Sequence, residues 1–283
     1  MDFIVTSSHV GRMSPGRDFI NRIEYPDHAV LQGLRDDACE TTQSRLGEWG
    51  YPDVDKSTIR KLSYTYYYDP SQDDPDYVFL LQDPGGLQRR HTEELERLKA
   101  IDDQSPLTEL VDIYRQFPKS WLLRNRNSDF SLKFFSTLSD HGIISLSSTW
   151  RDYLRDEGFY HDFYMTDVVK YRVDGFTKRE ERESVNEFLR EELAMVNPDL
   201  IFAFGGDAWD VLRGYFDTTP IDTTTVDTSK ITEIHGCLCR TGQELDAHVL
   251  PLSHMSGQVW WRFPPEEYIK RMEAGLRKWS TVH

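Results

Sequence analysis

Four short, mostly apolar runs constrain this chain more than anything else in it: YVFLLQ at 77–82, DFYMTDVV at 162–169, DLIFAFGG at 199–206 and HVLPLSH at 248–254. Each is too short for a core helix and too continuously apolar for a strand with one wet face, so each reads as a strand buried on both sides. Between them lie stretches with apolar residues at helical spacing, among them HTEELERLKAI (91–101), LTELVDIYRQF (107–117), SLKFFSTLSDHG (131–142), TWRDYLRDEG (149–158) and KREERESVNEFLREELAMVN (178–197). Further helices are expected at 207–216 and 264–280, and a poorly marked strand near 231–239. Strands separated by helices predict an α/β fold: a three-layer α/β/α sandwich around a mostly parallel sheet of about four strands.

The loop YYYDPSQDDPD at 66–76, with two prolines among acids, suggests a boundary. It separates residues 1–65, an amino-terminal extension or cap with a helix near 27–48, from a main domain at 66–283.

Acidic residues outnumber basic ones 48 to 33, a formal charge of -15, and the basic residues are mostly Arg. Such a surface suits solubility in concentrated salt, where charges are screened within a few ångströms. A nucleic-acid partner would need positive potential, which this chain can supply only locally. Three cysteines, Cys39, Cys237 and Cys239, make a disulfide framework improbable and point to a reducing cytoplasm. The first residues lack a signal-peptide pattern, and no run is long enough to span a membrane.

In a parallel sheet, ligands gather at the carboxyl ends of the strands. Here those ends carry QDPGG, TDVVKYR, FGGDAW and SHMSGQ, which brings Asp83, Asp167, Lys170 and His254 into one neighbourhood and implies a cleft.

Taken in order, LLQDPGG, YMTDVVKYR, NPDLIFAFGGDAW and VLPLSHMSG resemble the motifs of the uracil-DNA glycosylase superfamily over roughly residues 77–262. The resemblance implies a monofunctional, monomeric enzyme that removes a deaminated or damaged base, uracil foremost, from DNA. It implies Asp83 and His254 as catalytic residues, the first polarising a water or stabilising the sugar cation, the second donating to a carbonyl of the leaving base. The base pocket would use Gln82, Asp167 and an aromatic wall from Phe130, Phe134 or Phe135, with Phe130 preferred. Lys170 and Arg172 would be phosphate or structural contacts near the mouth, Ser256 and Gly257 would meet DNA phosphates, and Met255, Val259 or Trp260 would wedge into the duplex.

Leu81, Asp167 and Met255 depart from the family pattern, where Gly, Asn and Pro are usual. Ionised Asp can only accept hydrogen bonds, so Asp167 imitates Asn only when protonated. Otherwise it favours a base edge richer in donors. Three cysteines cannot supply the four ligands of an iron–sulfur cluster, so no cluster, metal or other cofactor is expected. His235, Cys237 and Cys239 would share one face of a strand, either as a metal set or, as we expect, as structural residues. Asp-Pro-Gly is also a turn signal in itself. Two rival functions remain: a binding module that holds nucleic acid or a base without cutting, and a hydrolase of free nucleosides or nucleotides.

Overall fold

The computed structural model describes residues 15–65, 75–102, 105–123, 128–155, 158–221, 226–254 and 264–283. Three helices come first, α1 (Pro15–Glu24), α2 (Ala29–Glu48) and α3 (Lys56–Ser63), before strand β1 (Tyr77–Leu81). The helix expected at 27–48 is α2, and α1 is an additional element. A 3-10 turn (Arg89–Glu94) leads into α4 (Leu95–Ala100), followed by α5 (Leu107–Leu123), α6 (Ser128–Asp140), α7 (Trp150–Arg155) and α8 (Gly158–Asp162). Strand β2 (Phe163–Asp167) follows.

The next helix is continuous but re-phased: α9 (Lys178–Ser184) passes through a π-turn (Val185–Leu189) into α10 (Arg190–Val196), which ends at Asn197 in the left-handed conformation. Then come β3 (Leu200–Phe204), α11 (Gly206–Tyr215), β4 (Thr219–Pro220), α12 (Ile231–Ile234), β5 (Cys239–Arg240), β6 (His248–Leu252) and α13 (Pro265–Val282).

The sheet runs β2-β1-β3-β6-β5-β4, parallel through the first four strands and antiparallel at β5 and β4. All residues of β2 and β3 are buried, as they must be when helices cover both faces of a three-layer α/β/α sandwich. The sheet therefore has six strands where about four were expected, because β4 and β5 have only two residues each and leave no periodicity to read. The strand expected at 231–239 is also corrected: its first half is the helical turn α12, which ends at His235 and Gly236. Consequently His235, Cys237 and Cys239 do not alternate along one strand.

The chain leaves β1 for β2 on one side and later returns to β3 on the other, so the β1/β3 boundary is the point where the winding reverses. A crevice opens at the carboxyl ends of strands at such a point.

Residues 15–65 contribute to the same hydrophobic core as the sheet. α2 packs on α3 and α9. Residues 63–65 run antiparallel to 170–172, joined by Arg172 N–H to Ser63 O (2.8 Å) and Thr65 N–H to Lys170 O (2.9 Å). Tyr171 anchors the same region by donating to Ile23 O at 2.7 Å.

On the far side, α13 lies directly against the turn after α12. Gly236 has φ +75, and a Cβ there would stand 2.4 Å from the backbone oxygen of Arg271. Backbone strain and overpacking each cost on the order of 1–3 kcal/mol, so Gly236→Ala is expected to lose about 3 kcal/mol of stability in denaturant titration. A loss below about 1 kcal/mol would mean that this close approach does not support the fold.

Candidate active site

The loop after β1 is built by its own sequence. Asp83 Oδ1 accepts from Gly85 N–H at 2.7 Å, and Gly85 takes φ +64, a conformation that costs glycine little. The strand pairing runs on into this turn, with Val168 and Val169 N–H donating to Leu81 O and Gln82 O at 2.9 and 3.0 Å. Arg172 then ties the turn down by donating to Pro84 O (2.8 Å) and Gly85 O (3.3 Å). From the other side Arg45 of α2 donates to Leu87 O (3.1 Å) and pairs with Asp174 (2.6 Å). Gly86 leaves room for this, since a Cβ would fall 2.4 Å from the Arg45 guanidinium.

The end of β6 is clamped with equal care. Ser253 N–H donates to His235 Nδ1 (2.9 Å), and Ser253 O accepts from the Tyr268 hydroxyl (2.9 Å). With Nδ1 accepting, the His235 proton sits on Nε2, which faces Tyr268 O at 3.1 Å. Burial holds this imidazole neutral, lowering its pKa to about 4. Fixing Ser253 fixes the start of His254. Gly205, with φ +96, passes beside it, a Cβ there lying 3.7 Å from His254 Cβ.

Between the two ends is a cavity of about 400 Å³, a size that suits small-molecule recognition. Asp83, Gln82, Asp167, Arg172 and His254 all line it. His254 keeps an exposed edge, while the atoms crowded about its ring lower its pKa and the Asp83 charge pulls the other way. Asp83 thus acts electrically on His254 across the cavity.

Asp167, the last residue of β2, is 1% exposed. Its Oδ2 accepts from the Thr65 hydroxyl at 3.1 Å, whereas its Oδ1 has no hydrogen-bond partner among the described residues. Burial raises its pKa to about 7, assisted by Asp83 and opposed by Lys170, Arg172 and Thr65.

Three expected placements need correction. Lys170, expected as a DNA-phosphate or structural contact, is 1% exposed and paired with Glu192, which leaves it the structural role alone. Its ammonium also meets Thr166 and donates to Asp167 O at 2.8 Å. Glu192 in turn accepts from the Thr166 hydroxyl (2.8 Å) and from Tyr164. Arg172 reaches the cavity wall, but at 3% exposure its guanidinium donates to loop carbonyls, so it shapes the turn instead of standing out toward solvent.

Phe130, expected as the stacking wall, is core. Its ring lies 5.1 Å from that of Tyr268 at 88°, behind the clamp on Ser253, and it does not line the cavity. Phe134 and Phe135 are likewise buried in the core and away from the cavity. Met255, Ser256 and Gly257, with Val259 and Trp260, lie outside the described residues.

The apolar wall comes instead from Leu81, Met165 and Phe204, the carboxyl-terminal reaches of β1, β2 and β3. Arg90, His91 and Asp207 also line the cavity and were missed by sequence reasoning. The signal for Phe204 was available, since it is the aromatic that opens FGG at the end of β3. His91 had none, because its Nδ1 accepts from Gln88 N–H (2.9 Å) as an ordinary helix cap. Burial and the neighbouring Arg172 and Arg90 keep it neutral, with a pKa lowered to about 2.

A second hollow of about 430 Å³ adjoins the first through Gln82, Asp83 and Asp207, and its remaining wall includes Asp174, Glu181 and Lys178. Among the described residues no group of His, Cys, Asp and Glu has the arrangement of a metal site, and no helix is long and apolar enough to cross a membrane.

A search of curated proteins returns no match to this chain. A family model does match, that of the uracil DNA glycosylase superfamily, over residues 115–276. The match takes in β2, β3 and β6, with Asp167 and His254, but starts downstream of β1 and Asp83. Together with the parallel sheet and the cavity at its reversal point, it establishes that the chain belongs to the uracil DNA glycosylase superfamily.

Proposed function

We propose that this protein is a monofunctional DNA glycosylase that hydrolyses the N-glycosidic bond of a deaminated or damaged base, uracil foremost. The observation that carries this reading is the presence of Asp83 and His254, from the ends of two different strands, on the wall of one cavity. Breaking the bond between base and sugar builds positive charge on the sugar and negative charge on the departing base.

Asp83 meets the first need. With Oδ1 engaged by Gly85, its Oδ2 is the oxygen that holds the attacking water or faces the sugar cation. His254 meets the second, donating from a neutral imidazole to the base carbonyl where charge collects; its lowered pKa favours the neutral form. The base must first leave the helical stack, and Phe204, Met165 and Leu81 offer it an apolar wall. No lysine lines the cavity among the described residues, which favours hydrolysis by water over attack by an amine.

One feature favours the rival reading of a binding module: half of the Asp83 carboxylate is already used in its own turn. Oligonucleotides containing uracil, hypoxanthine or xanthine, incubated with the protein in molar salt, separate the readings. Release of free uracil, leaving a site that alkali then cleaves, is the expected result. Retention of the oligonucleotide with every base intact would point to the module, and release of base from free deoxyuridine alone to a nucleoside hydrolase.

A further inference from the structure

The hydroxyl of Thr65, in the amino-terminal segment, bonds Asp167, a side chain that lines the cavity. We propose that Thr65 is a positioning residue for base recognition: it holds Asp167 by Oδ2 and thereby presents Oδ1 as the one carboxyl oxygen offered to a base. The inference rests on the glycosylase reading above and adds to it a residue outside the strand-end loops.

Four observations place Thr65 in this role. It is 2% exposed, so its hydroxyl is a fixed internal group and not a surface one. Its backbone N–H is pinned to Lys170 O at 2.9 Å, three residues beyond Asp167, which sets the distance between the two side chains. Its hydroxyl donates to Asp167 Oδ2 at 3.1 Å. The other carboxyl oxygen is buried, unpartnered among the described residues, and belongs to a side chain that lines the cavity. A buried oxygen without a partner costs free energy unless a ligand completes it.

The chemistry follows from which oxygen is occupied. While Oδ2 accepts from Thr65, an acid proton on Asp167 belongs on Oδ1, which then donates to a base carbonyl. Once the proton is lost, Oδ1 accepts from a ring N–H or an amino group. An imide edge, with a carbonyl beside an N–H as in uracil, satisfies the oxygen in both states.

The charged groups that face Asp167 are Asp83 from the β1 loop and Lys170 and Arg172 from the β2 loop; the first favours the proton and the other two oppose it. The Thr65 hydroxyl is the remaining polar neighbour and also opposes it. With an Asp167 pKa of about 7, the exchange between donor and acceptor falls near neutral pH.

The test uses the full chain, carbon-13 labelled at aspartate carboxyls, with the Asp167 resonance assigned through Asp167→Asn. Free uracil affinity is measured from pH 5 to 9 alongside. In Thr65→Val the Asp167 midpoint should rise by about one pH unit or more, because the anion loses a donor. Uracil affinity should fall, its pH dependence moving upward with the midpoint. Thr65→Ser should restore both.

A folded Thr65→Val protein with an unchanged midpoint and unchanged uracil affinity would overturn the proposal. If Thr65→Val does not fold, Thr65→Ser against Thr65→Cys provides the same comparison of a strong and a weak donor. If the parent excises uracil and these variants keep its pH profile, only the role of Thr65 fails. If the parent neither binds nor releases any base, the glycosylase reading fails and this inference with it.

Discussion

Asp83→Asn is expected to slow excision by roughly 10²- to 10⁴-fold while the protein stays folded. The substitution is well suited to the question because Asn retains a side-chain oxygen able to accept from Gly85 N–H, so the turn survives and only the charge disappears. His254→Ala removes the opposite member and should cost about 10²- to 10³-fold, the usual loss for one donor at a developing anion. The two changes should combine to less than the product of their separate effects if both act on one transition state. Single-turnover excision, with thermal melting as a control on folding, measures all three proteins. Parent-like excision by either single variant would show that the corresponding role is wrong.

The second large effect concerns stability. Lys170 and Glu192 are both almost wholly withdrawn from water, and each is the other's counter-ion beneath β2. Removing one partner leaves an uncompensated charge in the interior, a change that costs about 3–5 kcal/mol. Lys170→Met is therefore expected to unfold at far lower denaturant concentration than the parent, and Glu192→Gln to be affected comparably. The pair Lys170→Met/Glu192→Gln should recover much of the loss, since neither charge is then stranded. A phosphate-binding lysine would behave otherwise, with unaltered stability and a weaker salt dependence of DNA binding. Urea titration of the three variants separates the two accounts.

The strands that could be read from sequence were those with the simplest burial. β1, β2, β3 and β6 are covered on both faces, which turns a pleated strand into an unbroken apolar run. From their order came the neighbourhood of Asp83, Asp167 and His254. What sequence could not supply was partnership at a distance. Nothing local tells that Lys170 faces Glu192, because the π-turn at 185–189 re-phases the helix between a capping box at Thr177 and that glutamate. From sequence, accordingly, Lys170 could be either a phosphate contact or a structural one.

Phe130 failed for a related reason. Its place before a helix resembled the family's aromatic position, yet its ring is used to back Tyr268. The strand expected near 231–239 is only poorly marked in the sequence, and a strand of that length cannot contain the positive φ of Gly236 with α13 pressed against it. His91 remained hidden because a capping histidine and a cavity histidine look alike until the fold brings the wall around it.

The position of β1 has a practical side for anyone wishing to dissect this molecule. Bonded to β2 on one flank and β3 on the other, it is the seam of the sheet, yet it falls outside the stretch by which the family is recognised. A fragment cut to residues 115–276 would expose two raw strand borders, each open to pairing with other chains. The most recognisable portion and the smallest self-sufficient portion are different things in this protein.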